Sequence, residues 1–259
     1  MASSVIEPIA RFGLAARGVV YVVVGVLAAK SAAGRGGRTT DREGAVRAVE
    51  QADSSGLLLV ALALGLLAYV LWRFVQAFRD LEGKGSDAKG LGVRAGYAAS
   101  GLAYLGLAVT AGGFGVSRGS GSMRSWVARS LAEPWGPWAV GLGGALVIGV
   151  AFYQFYKAWS AKFEDHLRVD RMTAGARRWM RRIGRFGLAA RGVTFLIIGW
   201  FLVQAALRMN ARVVRDLGGA LRTLRQQEYG AWLLGIVALG LIAYGLLSFI
   251  DARYRRIIR

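Results

Sequence analysis

Residues Arg11 to Val19, reading RFGLAARGV, return letter for letter as Arg185 to Val193. A weaker copy runs from Arg94 through Ala95, Gly96, Tyr97, Ala98, Ala99 and Ser100 to Gly101. The common pattern is R-x-G-x-A-A-x-G-x-x-(Y or F), closed by Tyr21, Tyr104 and Phe195. Every copy opens an apolar run of about 20 residues, enough for a helix to cross roughly 30 Å of hydrocarbon at about 1.5 Å per residue. A chain built this way is one membrane-crossing unit used three times.

Composition agrees with that constraint. Hydrophobic residues make up 55% of the chain and mean hydropathy is +0.41. The charged 19% collects between the apolar runs, as in polytopic membrane proteins. The net charge of +19 flanks those runs, which points to anionic phospholipids as partners and away from nucleic acid. The absence of cysteine excludes disulfides, thiol chemistry and Cys-ligated metal, and His166 is the sole histidine. The first run resembles a signal peptide, but its twin at 186–206 lies mid-chain, so both are read as retained helices.

Six spans are expected. They fall at about 12–33, 56–78, 93–116, 137–159, 186–207 and 231–250. Between the two spans of each pair lies a short amphipathic piece, at Asp41 to Asp53, Ser125 to Ala132 and Val213 to Gln227. The stretch Gly34 to Arg38 reads as a flexible break. Units of 1–82, 83–165 and 166–259 follow, each made of helix, interfacial helix and helix. Two crossings per unit return the chain to one side, so the repeats are parallel and related by an axis along the membrane normal. The expected fold is an all-α integral membrane protein, a pseudo-threefold bundle of three two-helix repeats. Lys and Arg are more abundant on the side of both termini, chiefly through 157–185, which places both termini in the cytoplasm.

The tandem pairs of membrane helices, each opened by R-x-G-x-A-A-x-G-x-x-Y, resemble the bacterial domain-of-unknown-function family 1206 over nearly the whole chain. That resemblance implies a six-helix integral protein of the bacterial cytoplasmic membrane. It implies no activity, substrate or catalytic residue.

Candidate residues come from the repeats. Arg17 and Arg191 lie roughly 8 Å inside their spans, where a guanidinium is costly. One reading is an intramembrane polar site; the other is a side chain reaching back to lipid phosphates. Unit 2 has Ser100 at that position. Tyr69, Tyr153 and Tyr244 recur in the second spans, and their hydroxyls need partners in lipid. Gly18, Gly101, Gly192, Gly65, Gly149 and Gly240 are expected to pack helices closely. Arg73 and Lys157 align with each other and with Ser248, as Gln76 does with Asp251. Arg73, Lys157, Arg177, Arg178, Arg181 and Arg182 are expected headgroup contacts, with Arg11 and Arg185 as interface anchors.

No paired carboxylates, metal-ligand spacing, nucleophile set or phosphate loop is present. The sequence therefore points to a non-enzymatic, lipid-interacting or structural membrane module without cofactor or metal. The alternative is a channel or carrier with an Arg- and Tyr-lined cavity for an anion or small solute.

Overall fold

The computed structural model describes residues 2–35, 39, 41–50, 55–79, 83, 85–111 and 123–256. The expected break at Gly36 to Arg38, the last residues of the first amphipathic piece, and the end of the third span after Ala111 lie outside these residues. The described residues contain nine α-helices and no strand. They are α1 (Ala2–Ala32), α2 (Arg42–Glu50), α3 (Ser55–Arg79), α4 (Ala88–Ala111), α5 (Met123–Leu131), α6 (Gly136–Ser160), α7 (Ala174–Leu207), α8 (Leu217–Arg225) and α9 (Gly230–Tyr254).

Five of these helices, α1, α3, α6, α7 and α9, are long and apolar enough to cross a membrane. The chain is thus an all-helical, multi-pass membrane protein. The sixth expected span, α4, has the length but spends much of it on glycine, alanine, serine and tyrosine, so its apolarity is weaker. The basic stripe at 177–185 forms the first turns of a long helix. It is continuous with the span after it in the 34-residue α7. At about 1.5 Å per residue α7 is roughly 50 Å long, so its first turns extend beyond a 30 Å hydrocarbon layer. Thr173 starts it by accepting a bond from the Ala176 amide at 3.2 Å.

Small residues decide how the long helices meet. Gly13 on α1 lies against the Tyr69 backbone on α3, and Gly65 on α3 lies against Ala16. The same contacts join α7 to α9: Gly187 with Tyr244, and Gly240 with Ala190. Between repeats, Gly18 faces Gly245 across α1 and α9, Gly144 faces Gly199 across α6 and α7, and Gly101 on α4 meets Arg73 and Phe74 on α3. In each seam the residue numbers rise on one helix as they fall on the other, so neighbours are antiparallel. Packing therefore runs in the order α4, α3, α1, α9, α7, α6.

No comparable seam joins α4 to α6 among the described residues. Gly96 and Gly149, the counterparts of Gly13 and Gly65, each face open space. Gly149 therefore departs from the other five glycines expected to pack helices. Small residues permit close approach but do not compel it, since hydrocarbon supplies no hydrophobic force between helices.

The seams and the gap can be separated by one substitution series. Gly65→Leu and Gly240→Leu should each destabilise the protein by about 1–3 kcal/mol through overpacking, while Gly149→Leu should stay within about 0.5 kcal/mol. Thermal unfolding in detergent measures this, and equal losses at all three positions would show that the α4–α6 seam is closed.

Candidate functional site: a buried arginine and tyrosine axis

Arg17 is 4% exposed and does not reach back to the membrane surface. Its Nη1 donates to the Tyr69 hydroxyl at 3.1 Å, its Nε to Ser248 Oγ at 3.2 Å, and its Nη2 to Asp251 Oδ2 at 3.2 Å. The guanidinium also lies over the rings of Tyr69 and Tyr244, 5.3 and 5.4 Å from their centroids. One side chain from α1 thus ties together α3 and α9. Arg191 repeats part of this arrangement, donating from Nη1 to the Tyr244 hydroxyl at 2.7 Å and lying over Phe195 and Tyr244.

Unit 2 solves the same problem by exchange. In the α1–α9 seam the first helix carries Arg17 and the second carries Ser248. In the α3–α4 seam the first helix carries Ser100 and the second carries Arg73. Arg73 is therefore part of the network, half-buried at the α3–α4 seam. Its Nε donates to Tyr69 OH at 2.7 Å, its Nη1 to Gln76 Oε1 at 3.1 Å, and it covers the rings of Tyr69 and Tyr97. The partner tyrosine of unit 2 is not brought in. Tyr153 is 57% exposed on α6, with Lys157 5.7 Å from its ring.

Sequence reasoning missed Arg42. It is carried by the short helix α2, whose start is set by Asp41 Oδ1 accepting from the Gly44 amide at 2.8 Å. From there Arg42 Nη2 donates to the Tyr21 hydroxyl at 3.2 Å, and the guanidinium lies over Tyr21 and Tyr104. The signal was available: the aligned position in unit 3 is Leu217, so an arginine stands where the repeat otherwise places a buried leucine. Edge-on ring contacts between Tyr21 and Tyr244 at 4.7 Å, and Tyr69 and Tyr104 at 4.6 Å, complete the axis.

The motif's leading arginines meet backbone carbonyls. Arg11 Nη1 donates to the carbonyls of Ala252 and Arg253, Arg94 to those of Ala77 and Phe78, and Arg185 to that of Trp159. Each caps the C-terminal carbonyls of the neighbouring repeat's second helix, where the helix dipole favours a cation. Of the four arginines on the first turns of α7, Arg177 and Arg181 both bind Glu164, with Arg181 Nη2 at 2.9 Å from Oε2. Arg178 and Arg182 remain exposed. The hydrogen bonds from Arg181 and Arg177 hold the Glu164 carboxyl below its ordinary pKa. No group of three or more His, Cys, Asp or Glu that could hold a metal occurs among the described residues.

Comparison with known proteins agrees with the repeats. The family model described as Domain of Unknown Function (DUF1206) matches residues 12–80, 95–161 and 186–255. The uncharacterized protein YxxB of Bacillus subtilis (strain 168) is similar at 36% identity over 252 residues, covering 96% of this chain and 91% of that protein. No solved structure matches.

Two outcomes test the network. Arg73→Ser should destabilise by about 2–3 kcal/mol, the worth of hydrogen bonds to a charged group. The exchange Arg73→Ser with Ser100→Arg should recover most of that loss, as a double-mutant cycle of melting temperatures would record. The second outcome concerns pH. Because the folded pKa of Glu164 is depressed, its contribution is complete above the ordinary carboxyl value of about 4.3 and fades as pH falls through the folded value. Glu164→Gln should melt earlier than the wild type at pH 7 and converge with it near the acid end; parallel curves would exclude the linkage.

Proposed function

Because the chain belongs to the DUF1206 family, whose matched segments tile it three times, we propose that it is a non-enzymatic module of the bacterial cytoplasmic membrane. It spans six times, with α4 as the third crossing and both termini cytoplasmic. Its three units pack in tandem along a buried Arg–Tyr axis, open between α4 and α6, and its basic ends hold anionic phospholipid headgroups. The carrying observation is Arg17, whose Nε, Nη1 and Nη2 each donate to a side chain of α3 or α9. Its role is to join helices, and the axis beside it is filled by Tyr21 and Tyr69, each about 1% exposed. The pseudo-threefold relation draws support from the carbonyl caps made by Arg11, Arg94 and Arg185 at matching seams. Headgroup binding rests on Arg178 and Arg182, exposed beside Trp179 at the end of α7 that extends past the hydrocarbon.

A second reading, a carrier or channel for an anion, is favoured by one observation. Arg17, Arg42, Arg73 and Arg191 gather on the axis, and Asp251 is the only carboxylate ion-paired with any of them among the described residues. Reconstitution separates the readings. Wild-type protein should retain phosphatidylglycerol over phosphatidylcholine in native mass spectra, and Arg178→Gln with Arg182→Gln should reduce that retention several-fold. Liposomes should show no protein-dependent anion flux. Flux that falls with Arg17→Ala would replace the first reading by the second.

A further inference from the structure

The second reading concerns movement of an anion; the polar atoms around Tyr21 carry a different conclusion. Arg42 Nε, Arg191 Nε and the Tyr104 hydroxyl are buried and have no hydrogen-bond partner among the described residues. All three belong to side chains gathered around one buried ring system. Arg42 lies 5.6 Å from the Tyr21 ring centroid and 5.1 Å from that of Tyr104, and Arg191 lies 5.9 Å from that of Tyr21. Tyr21 and Tyr104 are 1% and 3% exposed. Unused donors on two guanidinium groups and a phenol, with no carboxylate bonded to Arg42 or Arg191 among the described residues, form an acceptor-poor cluster of positive charge.

We propose that this cluster holds one resident, halide-sized monovalent anion, bound by Arg42 Nε–H and the Tyr104 hydroxyl in the field of Arg191. A water molecule would satisfy the donors but leave the charge unopposed. A buried cation without a counter-charge is strongly unfavourable in a low-dielectric interior. The enclosure by Tyr21 and Tyr104 favours a free ion over a lipid phosphate, which would bring its glycerol and chains with it. The anion's role is structural: it lets α2, which carries Arg42, dock against α1 and α4, which carry Tyr21 and Tyr104.

Unit 3 supplies the variants. It carries Leu217 at the Arg42 position and Phe195 at the Tyr104 position, so Arg42→Leu and Tyr104→Phe place residues that the same fold already accommodates. Melting temperature is measured at fixed pH and ionic strength while sodium gluconate is replaced by sodium chloride, in neutral detergent free of anionic lipid. Wild-type protein should be stabilised saturably, and equilibrium dialysis with labelled chloride should retain about one ion per chain. Arg42→Leu should abolish the effect, and Tyr104→Phe should raise its midpoint by about tenfold, as expected for one hydrogen bond to a charged group. Arg178→Gln, on the exposed face, should leave it unchanged. Identical melting in gluconate and chloride would overturn the proposal. So would a chloride effect that persists in both Arg42→Leu and Tyr104→Phe, or stabilisation obtained only on adding phosphatidylglycerol.

Discussion

A guanidinium group inside a membrane bundle has to be met by partners, because removing its hydration shell costs far more than any one packing contact returns. Arg17 sets the rest of the structure by that requirement. Each of its three nitrogens donates to a side chain, and those acceptors must be close enough to reach. That closeness demands glycine at the seams: Gly13 and Gly65 between α1 and α3, Gly18 and Gly245 between α1 and α9. The small residues and the arginine are therefore one device. The first allow the helices to approach, and the second makes the approach favourable in a solvent that has no preference for helix over lipid.

Much of this was legible in the sequence because repetition substitutes for other information. The helix runs, the short helices between them and the seam glycines of units 1 and 3 all follow from periodicity and from matching positions. Tyr69 and Tyr244 could be singled out as needing buried partners by counting residues from the ends of their spans. What the sequence could not convey was direction. Snorkelling and burial require the same residue at the same depth, and only the positions of Tyr69, Ser248 and Asp251 decide between them for Arg17.

The basic residues near helix ends share one feature. Arg11, Arg73, Arg177, Arg181 and Arg185 read in the sequence as lipid contacts because each is a charge near a helix end. Each also meets an acceptor supplied by a neighbouring segment: the carbonyls ending α9, the Tyr69 hydroxyl, the Glu164 carboxylate, or the carbonyl of Trp159. A basic residue at a helix terminus satisfies the demands of a lipid phosphate and of an uncapped carbonyl equally well, and linear sequence does not distinguish them. The exchange of arginine and serine between Arg17–Ser248 and Ser100–Arg73 was likewise visible as two separate alignments. It became one observation only when α4 was seen to lie against α3.

The missing seam between α4 and α6 gives the molecule a preferred line of weakness. Among the described residues every other long helix has two long neighbours, whereas α4 and α6 each have one. Local opening in a protein follows the smallest free-energy difference, not the average. Fluctuations of this bundle will concentrate in unit 2, as excursions of two hinged staves, while the four helices of units 1 and 3 move as a block. Amide protection should record that contrast as a step between α4 and α1, two helices that carry the same R-x-G-x-A-A-x-G pattern.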